Sequence, residues 1–99
     1  MELTEIQKKH LRRLGHSLRP VVMMGQHGLT DAVVKEADRA LEDHELVKVR
    51  ARAGDRDVRD ASLVELAART GSELIQRIGN VGLLYRQNNK LKKILLPDS

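Results

Sequence analysis

The sequence has no cysteine, two prolines and a single aromatic residue, Tyr85. Without cysteine there are no disulfides and no zinc–thiolate sites. Modules that stack bases on a sheet of aromatic side chains need two or three of them, so one tyrosine excludes that class. Long apolar runs are missing too. The longest is Val21-Val22-Met23-Met24, far short of a membrane span or the apolar stretch of a signal peptide. A cytoplasmic chain with no membrane partner is expected.

What is present fits one domain: 99 residues, 40% of them hydrophobic, enough for a core without staples. Eighteen Lys and Arg against fourteen Asp and Glu give a net charge of +4 and a pI near 9.8, a balance suited to a polyanionic partner. With so few aromatics, such a partner would be gripped by its phosphates through amides and cations.

The hydrophobic pattern predicts the order α-β-α-β-α-β-β. Leu3, Ile6, His10, Leu11 and Leu14 recur at helical spacing behind Thr4, an N-cap, and Gly15 supplies a stop, giving a helix over Glu5–Leu14. Val21–Met24 is a short buried strand. Thr30 caps a second helix running to about Asp43, with Val33, Val34, Ala37, Ala40 and Leu41 as its stripe. Leu46–Ala51 alternates, with Lys48 and Arg50 forming a basic outer face. Asp57, with Asp60 three residues on, predicts the start of a third helix, whose stripe is Ala61, Val64, Leu66, Ala67 and Ala68 and whose stop is Thr70-Gly71. Leu74–Ile78 and Val81–Arg86 make a hairpin about Gly79-Asn80. Residues 87–99 form a basic tail or a short edge strand. The architecture is α/β: a mixed four-stranded sheet packed with three helices, the strands joined through helices running parallel.

Charge is unevenly distributed. Residues 1–30 carry five basic and two acidic groups, residues 31–45 two and six, and residues 46–59 five and two. On the first helix Lys8 with Arg12 and Lys9 with Arg13 form like-charged i,i+4 pairs, placed opposite the apolar stripe. Such pairs disfavour an isolated helix by a few tenths of a kcal/mol each, a cost a purely structural helix has no reason to carry.

Gly25-Gln26-His27-Gly28 lies between a strand and a helix N-terminus, where glycines allow close backbone approach and the open amides attract anions. KH domains clamp RNA backbone with a Gly-x-x-Gly loop of this kind. A chance match is easy with seven glycines, and Gly79-Asn80-Val81-Gly82 is a second one, better explained as the hairpin turn. Only the first opens a helix. His27 offers a donor inside the loop, whereas Asp31 in the first turn opposes an anion. The histidines (His10, His16, His27, His44) lack metal-ligand spacing, and His10 reads as a core-edge residue. Asp55, Asp57 and Asp60 read as a cap beside an arginine-rich loop. No nucleophile elbow, Walker loop or dinucleotide fingerprint occurs, so no catalytic activity, metal, cofactor or small-molecule substrate is expected.

The stretch Leu18-Arg19-Pro20-Val21-Val22-Met23-Met24-Gly25-Gln26-His27-Gly28-Leu29-Thr30, preceded by His16 and followed by His44-Glu45-Leu46-Val47-Lys48-Val49 and Leu84-Tyr85-Arg86, resembles the YhbY/CRM (chloroplast RNA splicing and ribosome maturation) domain. The resemblance runs nearly the whole chain, in order. It implies an RNA-binding α/β domain similar in fold to the C-terminal domain of translation initiation factor 3. It also implies association with precursors of the large ribosomal subunit, as in bacterial family members. By position, the family's RNA-contacting loop falls on Gly25, Gln26, His27 and Gly28. Many members carry a lysine there and this chain does not, which shifts weight to Lys8, Lys9, Arg12 and Arg13 as phosphate neutralisers and to Lys48 and Arg50 as a cationic strand face. The expected partner is ribosomal RNA, bound by a monomer. The rival expectation is a protein-interaction module docking on a ribosomal protein or assembly GTPase through the acidic second helix.

Overall fold

The computed structural model describes residues 2–52, 54–91 and 93–98. The element order is α1 (Glu5–Gly15), β1 (Pro20–Met24), α2 (Asp31–His44), β2 (Leu46–Ala51), α3 (Arg56–Thr70), β3 (Glu73–Ile78) and β4 (Val81–Tyr85). The sheet runs β1-β2-β4-β3. β1 pairs with β2 in parallel, and β4 is antiparallel to both β2 and β3. The last strand thus inserts between β2 and β3, so two strands joined through α3 point the same way without touching.

The sheet is covered on both faces. On one, α2 and α3 bury Val33, Ala37, Leu41, Leu63, Leu66 and Ala67 against Val22, Met24, Val47, Val49, Ala51 and Leu84. On the other, Leu3 and Leu11 pack with Leu46, Ile75, Leu83 and Tyr85, and the C-terminal segment adds Ile94 and Leu96. Period-2 alternation does this directly: on β2, Val47, Val49 and Ala51 face α2 and α3, while Leu46, Lys48 and Arg50 face the side of α1. That second face is therefore a partly covered one, not the solvated basic face predicted, and both Lys48 and Arg50 are half-buried.

Local chemistry sets the helix ends. Thr4 Oγ1 accepts the Gln7 amide at 3.1 Å while Gln7 Oε1 accepts the Thr4 amide at 3.0 Å, a reciprocal capping box. Thr30 Oγ1 takes the Val33 amide. The third helix starts earlier than expected. Asp55, not Asp57, is its cap, accepting the Val58 amide at 3.0 Å; Asp57 lies within the first turn, where its charge still suits the helix dipole. The buried stripe of α3 also differs from the predicted one. It is Leu63, Leu66, Ala67 and Thr70, spaced i, i+3, i+4, i+7, whereas Val64 is exposed. Thr70 qualifies for the interior because its hydroxyl bonds the Leu66 carbonyl at 2.8 Å.

Gly15 ends α1 for a reason other than left-handed geometry. A Cβ there would come within 2.6 Å of Leu83, so glycine lets the helix end lie flat on β4. Residues 87–98, so far as described, form no strand. They are the tail, and it is docked. Glu45, fully buried, accepts the Asn88 amide at 2.7 Å and the Ile94 amide at 2.9 Å through its two carboxylate oxygens. Gln7 Nε2 donates to the Pro97 carbonyl at 2.9 Å.

Candidate nucleic-acid interface

The Gly25–Gly28 loop leaves the C-terminal end of β1. The Gly28 amide donates to the Gly25 carbonyl at 3.0 Å, closing a turn that exposes Gln26 and His27 at its tip. Gly28 has φ +68°, a conformation costly for any residue with a Cβ. Because the turn uses the Gly28 amide, an anion here would meet the next open donors, at the start of α2. Val33 and Val34 are already taken by Thr30 Oγ1 and the Thr30 carbonyl, and no acceptor among the described residues takes the amides of Asp31 and Ala32. The Asp31 carboxylate, which argued against an anion site, is drawn aside by Arg69 Nη2 at 2.9 Å.

Register decides which cations join the loop. Met23 pairs with Arg50 and Met24 with Ala51, and the Arg52 amide donates to the Met24 carbonyl at 2.9 Å. Arg50 and Arg52 therefore stand at the stem of the loop. Lys48 pairs with Pro20 at the far end of β1 and borders a separate groove lined by Leu14, Leu18 and Val21. Lys48 thus stands one step farther from the loop than Arg50, although both line one depression on the α1 face of the sheet.

The α1 cations are split. At about 100° per residue, Lys9 and Arg13 lie on the helix crest and are exposed. Lys8 and Arg12 lie on the flank and are half-buried, so only one of the two pairs sits opposite the buried stripe. Lys8 Nζ is also 3.8 Å from Glu5, an exposed pair of small energetic weight. Arg12 and Arg13 occupy the last turn, where they complement the negative end of the helix dipole.

Three further arginines share the loop end of the sheet. Arg56, Arg59 and Arg77 line a depression with Gly79 and Asn80, and the Ala51 amide ties that turn to β2 through the Asn80 carbonyl at 2.7 Å. Arg77 Nη1 stands 3.1 Å from Asp60, and Arg59 Nη1 donates to the Gly54 carbonyl at 3.2 Å. Four of these residues, Arg50, Arg52, Arg56 and Arg59, fall in the net-positive stretch 46–59. That charge count was the available signal; the turn that brings Arg77 to them was not visible in it.

The acidic second helix is largely engaged inside the molecule. Asp31 pairs with Arg69, and Asp38 and Glu42 flank Arg86 at 2.6 and 3.2 Å. Glu45, just beyond the helix, anchors the tail. Among the described residues no group of three or more His, Cys, Asp or Glu is arranged to hold a metal, and no helix is long and apolar enough to cross a membrane.

A small α/β domain with a Gly-x-x-Gly loop at a helix N-terminus and arginines at its stem defines the class. The CRS1 / YhbY (CRM) domain profile matches residues 3–86, and the chain belongs to that family. It is 47% identical over 95 residues to a Pseudomonas aeruginosa protein named "Probable RNA-binding protein", covering 96% of this chain and 91% of that one. It is 39% identical to a Haemophilus influenzae protein named "RNA-binding protein", covering 96% and 95%. The solution structure of the hypothetical protein SAV1595 from Staphylococcus aureus superposes with a TM-score of 0.83 at 35% identity, covering 97% of this chain and all of that one.

Proposed function

We propose that this chain is a non-catalytic RNA-binding protein that grips the phosphate backbone of ribosomal RNA in precursors of the large ribosomal subunit. The observation that carries the reading is the convergence of the Gly25–Gly28 loop, the α2 N-terminus, Arg50 and Arg52 at one end of the sheet. Relatives bearing RNA-binding names support the nucleic acid, and the family resemblance supports the ribosomal precursor. In this reading Gly25, Gln26, His27 and Gly28 form the clamp. Arg50 and Arg52 neutralise the phosphates entering it, while Lys8, Lys9, Arg12, Arg13 and Lys48 extend the positive field. The protein acts as a cytoplasmic monomer without cofactor.

The test is the double variant Gln26→Asp/His27→Asp. Both side chains are exposed, so the fold is retained and any phosphate at the loop meets two new carboxylates. Close like-charge juxtaposition can cost several kcal/mol, and about 1.4 kcal/mol is tenfold. RNA affinity is expected to drop at least about tenfold, with Asn80→Asp in the second glycine turn as the near-neutral control. A folded double variant that binds RNA as wild type reduces the loop to a turn.

A further inference from the structure

Across all four strands, at the end of the sheet that carries the glycine loop, Met23 pairs with Arg50, Arg50 with Val81 and Val81 with Ile78. This row lies on the α1 side of the sheet, but α1 does not reach it. The helix covers Leu46, Tyr85, Ile75 and Leu83 and ends with Gly15 on Leu83, one row short. Met23 is left 44% exposed and Ile78 67% exposed. Behind them Arg50, Gln76, Val81 and Leu83 line a depression of about 250 Å³.

We propose that this row is a seat for unpaired RNA bases, so that the protein selects single-stranded RNA beside the loop; the proposal rests on the RNA-binding reading above. Scattered surface hydrophobics need no explanation. Here they stand in one cross-strand row about 14 Å long at normal strand spacing, with an arginine between Met23 and Val81. Arg50 Nε is buried with no hydrogen-bond partner, and Arg50 lines the same depression as Val81 and Ile78. A guanidinium plane stacks on a base where Phe, Tyr and Trp are lacking, and the one such ring of this chain, Tyr85, is buried.

Charge and position choose the occupant. Arg50 and Lys48 on the same face favour an anionic chain over an apolar protein surface. The row also begins two residues before Gly25, so a nucleotide whose phosphate sits at the loop has its base over Met23 and Arg50. A duplex keeps its bases stacked inward and offers only groove edges, which an apolar row cannot engage.

The experiment compares a labelled single-stranded oligoribonucleotide with the same strand made abasic at successive positions, and with an RNA duplex of equal length. The abasic strand keeps every phosphate. Wild type is expected to bind it, and the duplex, at least about tenfold more weakly, within what one stacked base supplies. Met23→Thr/Ile78→Thr keeps strand propensity and Arg50→Lys keeps the charge. Both are expected to bind the intact strand as weakly as wild type binds the abasic one, to lose nothing further on abasic substitution, and to keep the wild-type salt dependence.

Equal wild-type affinity for intact and abasic strands overturns the seat. So does unchanged RNA binding by the row variants, which would make the row a protein-docking surface. Salt-dependent binding indifferent to bases overturns the seat alone, whereas absence of salt-dependent binding to any probe removes the RNA reading with it.

Discussion

Arg86 Nη1 lies 2.6 Å from Asp38 Oδ1, joining the residue after β4 to the middle of α2. The same guanidinium donates to the Thr70 carbonyl at 2.8 Å, to the Asp38 carbonyl at 3.0 Å and to Glu42 Oε2 at 3.2 Å. One side chain thus ties the C-terminal ends of α2 and α3 to the sheet. It also accounts for acidity on α2 that would otherwise be read as a surface for a basic partner.

Truncating Arg86 to alanine should therefore cost about 2 to 3 kcal/mol, since hydrogen bonds to charged groups are each worth roughly 1.5 to 3 kcal/mol and some carbonyls regain water. Arg86→Lys should recover less than half, because an ammonium lacks the planar fork. Urea unfolding reads both. A loss below about 0.5 kcal/mol for the alanine variant would leave the cluster as exposed ion pairs of no weight.

Glu45 is the one buried acid among the described residues, and it too has a structural task. Its φ of +63° is strained for a residue with a Cβ, at about 1 to 2 kcal/mol, and two amide bonds to the tail offset that cost. Glu45→Gln keeps the shape but can offer only one acceptor oxygen to the two amides. It should lose about 2 kcal/mol and expose residues 87–98 to protease while the rest of the domain resists. Wild-type protease resistance of the tail would contradict the anchoring.

Tyr85 titrates late. Burial, and then the nearby Glu45 carboxylate, raise its pKa above the ordinary value of 10.0. The folded protein thus holds a proton that the unfolded chain releases. The associated stability is fully present below pH 10 and is lost as pH rises through the folded pKa. Tyr85 is the only tyrosine, so the phenolate absorbance of the native protein reports it alone. Ionisation at the free-phenol pH in the folded state would refute the burial argument.

Much of the fold is legible from period and punctuation. Thr4, Thr30 and Gly71 end helices as their types demand, and Leu46–Ala51 alternates as it folds. Misses occur where local signals are degenerate or distant. Asp55 and Asp57 are equally good caps two residues apart, and three-dimensional packing chooses the first. Thr70 is polar in sequence and buried in fact, because its hydroxyl is satisfied within its own helix. Nothing near Glu45 announces amide partners 43 and 49 residues away. The loop was visible as a motif. The Met23–Arg50–Val81–Ile78 row was not, because it exists only once β4 inserts between β2 and β3.

The α1 cations give a separable outcome. Replacing Lys8, Lys9, Arg12 and Arg13 with glutamine keeps good helix formers, although the last-turn arginines take with them a dipole contribution of about 0.3 to 1 kcal/mol. Stability should fall by no more than about 1 kcal/mol, while RNA affinity and its salt dependence both decrease. Unchanged binding by the folded variant would assign those charges to the helix alone.

The salt dependence of RNA affinity reads the phosphate grip itself. About four to six phosphate contacts predict a log–log slope of about −3 to −5, at roughly −0.7 to −0.9 per contact. Removing the two cations at the loop stem with Arg50→Gln/Arg52→Gln should make it shallower by about one to two. A wild-type slope near zero, or a slope indifferent to the loss of Arg50 and Arg52, would contradict a phosphate grip at this end of the sheet.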